Sequence, residues 1–337
     1  MVVTGNPLNK EAMQNRFETP ILLITFNRPT HTRRVWEEIT KQRPKYIYVF
    51  QDGARNEEDL EKIALVQAIF SEERDWDCEL KTYYSDINLG CGKGPVTGIS
   101  WFFENVEQGI IMEDDCLPHP HFFGYCDELL NKYQSEPEVM VVGATTYHDY
   151  YPCEDSYLFS RYFTGGAWAS WRRAWSGFSV DLENVDVNTF KKIIIKEFYS
   201  TAETNWWVRK VKEIKADTAK KGYWDYQMQI HMLLNNGLAI RPQKNMICNI
   251  GFDPEGTHTL EIDSRGERDI FPCFPLQHPL NIVVNKKNDY LFMAKELQKS
   301  LSKRIISSLY RRMIENNGIL NQLLMFYKNQ KRTWRNR

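Results

Sequence analysis

The chain has no apolar run near the roughly 18 residues that a membrane-crossing helix needs. Its start, Met1 to Phe17, is polar and lacks the apolar core of a secretory signal. Its cysteines number seven, an odd count, and none are spaced as metal-type pairs, which argues against a zinc ribbon or a disulfide framework. Free thiols in a reducing cytoplasm fit that usage. No fixed-period repeat is visible, which excludes solenoids and propellers. Gly-x-x-x-x-Gly-Lys-Ser/Thr is also missing, so a P-loop nucleotide site is excluded.

What is present is the composition of a globular protein: 337 residues, 42% hydrophobic and 26% charged. The net charge of −1 hides an asymmetry: residues 295–337 hold 11 Lys or Arg against 2 acids, leaving the body near −10. Within that tail Ile305, Ile306, Leu309, Met313 and Ile314 recur at helical spacing between arginines. An apolar stripe with basic flanks can lie on an anionic membrane surface, and a solvated helix packed on the domain is the plain alternative. With the basic residues gathered in one tail, nucleic acid is not an expected partner.

Along the chain, apolar runs at Ile21–Phe26, Tyr46–Phe50 and Ile110–Met112 read as strands, and Cys78–Tyr84 reads as a further one. Helical patterns lie between them: His31 to Gln42, capped by Thr30 and with Val35, Trp36 and Ile39 on one face, then Glu57 to Ser71, with Leu60, Ile63, Ala64 and Ile69 on one face. A third helix carries Ile99, Trp101, Phe102 and Val106. Alternating strands and helices with short connections predict an open α/β, Rossmann-like, mostly parallel sheet flanked by helices. Further on, the pattern predicts a helix from His121 to Tyr133, strands at Val139–Val142 and Tyr157–Phe163, and a Trp-studded turn at Thr164–Trp171. Residues 186–221 read as a helical insertion, a helix opens at Trp224-Asp225, and late strands include Ala239–Pro242.

The chemistry concentrates in Glu113-Asp114-Asp115, which follow the fourth strand. Three adjacent carboxylates repel one another unless a cation sits among them, and Mg²⁺ or Mn²⁺ favours such oxygens together with substrate phosphates. A solvated acidic turn is the alternative. The loop Asn88 to Gly94 is Gly-rich and precedes a helix, so Asn88, Gly90 and Lys93 are candidate contacts to an anionic nucleotide.

Taken in order, Asn27-Arg28-Pro29, Gln51-Asp52-Gly53, Glu113-Asp114-Asp115 and Phe122-Phe123-x-Tyr125 resemble the nucleotide half of a GT-A glycosyltransferase. Gly165-Gly166-Ala167-Trp168, Trp224-Asp225, Arg241-Pro242 and Gly256-Thr257-His258 continue the likeness in the same order. The three-acid form is similar to N-acetylglucosaminyltransferase I and related bacterial enzymes, across roughly residues 20–260.

The resemblance implies a metal-dependent transfer of sugar from a UDP-sugar to a glycan or lipid-linked glycan hydroxyl. It assigns Asp115 to the metal (Mn²⁺ or Mg²⁺) and Glu113 and Asp114 to ribose, water or bracing. Asp52 would read the uracil N–H, although Asp-Gly is also a plain turn. Arg28 would lie near the base or the phosphates. Asp225 would be the base of an inverting displacement; a helix cap is its alternative. The family has a second Asp where this chain has Tyr226. Thr257 and His258 would hold the diphosphate, and Gly166, Trp168 and Trp224 would line the sugar.

In domain terms the polar start reads as a leader at 1–18, and the resemblance implies a catalytic domain at 19–260, with a nucleotide half of about 19–145 and an acceptor half of about 146–260. An extension then runs over 261–337. The expected location is the cytoplasm, at the inner face of the membrane if the tail binds there. Two other readings are a nucleotidyltransferase making sugar nucleotides and a non-catalytic sugar-binding membrane-surface protein. The first would need a basic Gly-rich loop after the first strand, where this chain has Asn27-Arg28-Pro29.

Overall fold

The computed structural model describes residues 17–146, 155–198, 200–216, 223–251 and 274–294. The first half is a strand-helix alternation: β1 (Ile21–Thr25), α1 (Pro29–Lys41), β2 (Tyr46–Gln51), α2 (Glu57–Phe70), β3 (Glu79–Tyr84), α3 (Gly90–Asn105) and β4 (Gln108–Glu113). After β4 come β5 (Cys116–Pro118), α4 (His121–Lys132), β6 (Val139–Gly143), β7 (Tyr157–Ser160) and β8 (Ala167–Trp171). The described elements close with α5 (Arg172–Trp175), α6 (Val187–Ile194), α7 (Thr201–Ala216), α8 (Asp225–Leu234), β9 (Leu238–Pro242) and β10 (Ile247–Asn249).

Eight strands form one sheet in the order β3-β2-β1-β4-β8-β6-β9-β7. The block β3-β2-β1-β4 is parallel throughout, and β6 and β9 are parallel too. β8 runs antiparallel between β4 and β6, and β7 antiparallel at the edge. The sheet is mixed and mostly parallel, as expected.

Both faces of the sheet are covered at its centre, which explains why β1, β2 and β4 read as largely apolar runs, whereas the edge strand β3 is mixed and exposed. Ile21, Leu23, Ile47, Val49, Ile110 and Met112 face the side packed by α1, α2 and α4. Leu22, Ile24, Tyr48, Phe50 and Ile111 face the other side, packed by α3, α5 and α8. A third cluster joins α6 and α7 to α8 through Phe190, Ile194, Trp206, Trp207 and Val211 against Ile230 and Leu233.

Four local expectations need correction. Thr30 does not cap α1: Arg28 is the cap residue and Pro29 takes the first turn, where its missing N–H costs nothing. The buried face of α2 is Ile63, Val66, Ile69 and Phe70, while Leu60 is 57% exposed. The reason is that Asp59, not Leu60, turns inward at its first turn. Gly165 to Trp171 is not wholly a turn, because Ala167–Trp171 is the central strand β8. Its Ala residues hid the strand, since a segment buried on both faces shows no polar alternation. Also, the strand from Tyr157 ends at Ser160, short of Phe163.

Among the described residues no helix is long and apolar enough to cross a membrane. The expected leader up to residue 16, Thr257, His258 and the basic tail lie outside the described residues.

Candidate functional site

The chain runs outward from β1 to β2 and β3, then returns to place β4 on the other side of β1. Such a reversal opens a crevice at the C-terminal strand ends, where open α/β sheets take ligands. Three polar stretches meet there: Arg28 after β1, Asp52 after β2, and Glu113 to Asp115 at the end of β4. A cavity of about 430 Å³ fills the crevice, within the usual range for small-ligand sites.

Backbone bonds fix the acids before any side-chain partner is considered. The Glu113 N–H donates to the Gly166 carbonyl at 3.0 Å, and the Asp114 N–H to the Ile24 carbonyl at 3.0 Å. Gly166 adopts φ +99°, and a Cβ there would lie 2.9 Å from Cys116 Sγ, so glycine is required at this corner. Asp114 is buried and accepts from the Phe26 N–H at 3.4 Å and from Arg28 Nη2. Asp115 accepts from Arg28 Nη1 at 3.0 Å and from the Cys116 thiol at 3.3 Å.

Crowding of like charge shows in the protonation of these groups. Burial first, then Asp115 and Asp114, pushes Glu113 up to about 8, with Arg28 opposing and Asp225 adding. Burial also raises Asp114, with Arg28 as the main opposing charge. The Cys116 thiol is held well above its ordinary range by burial and by the acids beside it, so it acts as a donor. Burial works against the charge of Arg28, but Asp114 and Asp115 outweigh it and keep the guanidinium charged.

Asp52 is held by donors of its own and the next loop. Its Oδ1 accepts from the Gly53 and Leu89 N–H groups at 2.9 and 2.8 Å. Its Oδ2 accepts from the Gly90 N–H at 2.9 Å and from Asn88 Nδ2 at 3.2 Å. A carboxylate has about four acceptor positions, and all are used here. Burial raises its pKa, with those three backbone N–H groups opposing. Asp52 anchors the Gly-rich loop and the start of α3 at the cavity, with each of its oxygens accepting two bonds.

Two residues outside the expected set brace the site. Asp59 accepts from Asn27 Nδ2 at 2.5 Å and from Arg55 at Nε and Nη2, 2.7 and 2.9 Å away. The Arg55 hydrogen bond is the largest of the effects that lower Asp59 to about 2. A carboxylate lowered on folding adds stability above its unfolded value, and loses it as pH falls towards about 2. Asp59 thus fixes Asn27, the neighbour of Arg28, and also Arg55, whose guanidinium lies 4.9 Å from the Phe26 ring centroid.

Gly251 is the other. The Ile250 N–H donates to the Asp115 carbonyl at 2.8 Å, and the Ile250 carbonyl lies 3.0 Å from His31 Nε2. These bonds draw the chain after β10 over the acids. A Cβ on Gly251 would sit 2.4 Å from Asp115 Oδ2 and 3.0 Å from Arg28 Nη1. Gly251→Ala is expected to displace that carboxylate while leaving the fold intact. Turnover should fall about tenfold or more, equivalent to ~1.4 kcal/mol or more, with an unchanged far-UV spectrum.

Arg28, Asp52, Asn88, Gly90, Glu113, Asp114 and Asp115, all expected from sequence, line this one cavity, together with Phe26, Arg55, Asn249 and Gly251. Lys93 is exposed in the first turn of α3 and is not part of the lining. Asp225 is exposed in the first turn of α8, and its charge reaches Glu113. Trp168 is 1% exposed and stacks on Trp224 with ring centroids 5.9 Å apart. Both belong to the core beneath the site, which corrects the expectation that they line a sugar. Arg55 and Asn249 carried no distinctive motif; Gly251 was visible only as a glycine opening a polar loop.

Among the described residues no three His, Cys, Asp or Glu side chains form a ready-made metal cage. The donor set still fits a hard divalent ion of the kind held by one or two carboxylates plus substrate phosphates. Asp115 supplies oxygen at the cavity edge, and the three acids outnumber the one paired arginine.

No protein-family model matches the chain, and no curated protein matches it. Solved structures do. A mannosyltransferase from Pyrobaculum calidifontis, in complex with GDP-Man and Mn²⁺, aligns over 65% of this chain and 70% of its own at 14% identity and TM-score 0.36. An apo UDP-glucose pyrophosphorylase aligns over 74% and 96% at 9% identity and TM-score 0.35. A 4-diphosphocytidyl-2C-methyl-D-erythritol synthase from Anaerococcus prevotii aligns over 65% and 97% at 11% identity and TM-score 0.28.

Proposed function

We propose that this chain is a GT-A type glycosyltransferase that moves a sugar from a UDP-sugar to an acceptor hydroxyl with help from Mn²⁺ or Mg²⁺. The observation that carries the reading is the meeting of three carboxylates, one arginine and a helix start around a single cavity at the switch point. That mix of charges suits a nucleoside diphosphate, whose phosphates need cations and N–H donors.

In this reading Asp115 holds the divalent ion, which would stabilise negative charge growing on the departing diphosphate. Arg28 and the first turn of α3 meet the phosphates. Phe26 and Arg55, held by Asp59, bound the nucleotide end, and Asp52 keeps the Gly-rich loop in place. Asp225 takes the proton of the acceptor hydroxyl as its oxygen bonds to the anomeric carbon and the bond to the diphosphate breaks. Thr257 and His258, expected at the diphosphate, would be brought by the chain that continues past Gly251. The basic tail supports an acceptor at an anionic membrane surface on the cytoplasmic side, such as a lipid-linked glycan.

The test is donor cleavage. Incubated with Mn²⁺, the full-length protein should release UDP from a UDP-sugar and should not do so once the cation is chelated.

A further inference from the structure

Arg28 makes no cap bond to the helix it precedes. Its guanidinium instead spans two different carboxylates, Asp114 through Nη2 and Asp115 Oδ2 through Nη1 at 3.0 Å. The other Asp115 oxygen already accepts from the Cys116 thiol at 3.3 Å. Each oxygen of the residue best placed for a divalent ion therefore already accepts one bond, and one of the two comes from a cation that the protein supplies itself. Gly251 closes the remaining approach, because even a Cβ there would lie 2.4 Å from Asp115 Oδ2.

A divalent ion bonded to Asp115 Oδ2 would sit ~2 Å from that oxygen. A guanidinium nitrogen 3.0 Å from the same oxygen would then lie within a few ångströms of it, like charge against like in a poorly hydrated corner. The two cations exclude each other. Arg28 need not leave altogether, since Asp114 is a second anchor that the Phe26 N–H holds in place.

We propose that Arg28 is a built-in counter-cation: it occupies Asp115 while no divalent ion is bound, and it swings from Asp115 to the donor diphosphate when ion and nucleotide enter together. The inference rests on Asp115 as the cation ligand. Its consequence is that the ion alone binds weakly, because it must first displace Arg28, whereas ion and nucleotide bind cooperatively, because the diphosphate receives the displaced guanidinium.

The test uses Mn²⁺ alone on the full-length protein without nucleotide, with free Mn²⁺ followed by its paramagnetic resonance signal. Arg28→Met should bind Mn²⁺ about tenfold or more tightly than the unaltered protein, a gain of ~1.4 kcal/mol. Mn²⁺ should also raise its unfolding midpoint by a larger margin. Should the Met variant not fold, Arg28→Lys serves: one amine cannot span both carboxylates, and tighter Mn²⁺ binding is again expected. Equal or weaker Mn²⁺ binding in the variant that folds overturns the inference alone, if UDP still promotes Mn²⁺ binding to the unaltered protein. No Mn²⁺ binding by any form, with or without UDP, overturns both the inference and the reading of Asp115.

Discussion

Replacing Asp115 with alanine is expected to lower Mn²⁺-supported release of UDP from a UDP-sugar by on the order of a thousandfold, or ~4 kcal/mol of transition-state stabilisation. The argument is one of position and charge. Asp114 is buried and committed to Arg28 and the Phe26 N–H, and burial with two neighbouring acids disfavours the charged form of Glu113. Asp115 lies at the cavity edge and shares one oxygen with a guanidinium that has a second anchor. Its removal should spare the fold, because Arg28 keeps Asp114 and no buried charge loses its last partner. The expected signature is loss of both rate and Mn²⁺ dependence at nearly unchanged thermal stability. Turnover that survives intact in Asp115→Ala would sink the assignment.

Asp225→Asn should lower kcat by ~10²–10⁴ while leaving the donor KM close to its starting value, as expected when a general base is lost. Asp225 is outside the cavity lining. Its charge adds to those that raise Glu113. Being exposed in the first turn of α8, it adds only ~0.3–1 kcal/mol to the helix through its charge there. Loss of rate with retained stability separates a base from a cap. An unaffected or raised rate would rule out the base, and a rise in donor KM alone would make Asp225 a binding residue.

The sheet was legible because β1, β2 and β4 are short apolar runs ending in polar stretches, and the intervening helices carry their own periodicity. The acids could be placed for the same reason, since a charged triplet after a strand buried on both faces lies at the strand end. Reach was not legible. Asp52 stands where a base-reading acid was expected, yet its four acceptor positions face N–H groups of its own and the next loop. That arrangement depends on how residues 88–90 fold back, which no spacing reveals. Trp168 and Trp224 misled in the opposite direction, because aromatic character suits a sugar face and a core equally well. Asp59 and Gly251 escaped notice since their importance comes from contacts across 32 and 136 positions of sequence. Strand β8 was hidden because Ala and Trp in a strand covered on both sides show no alternation.

Product analysis bears most directly on the central claim that this cavity cleaves a nucleotide-sugar with the help of a divalent ion. The full-length protein is incubated with Mn²⁺ and each of a panel of nucleotide-sugars, and separately with UTP and a sugar 1-phosphate, and the phosphorus products are separated. The account predicts UDP released from a UDP-sugar, dependent on Mn²⁺ and abolished in Asp115→Ala. Inorganic diphosphate released from UTP, with every nucleotide-sugar left whole, would contradict it and make the protein a nucleotidyltransferase.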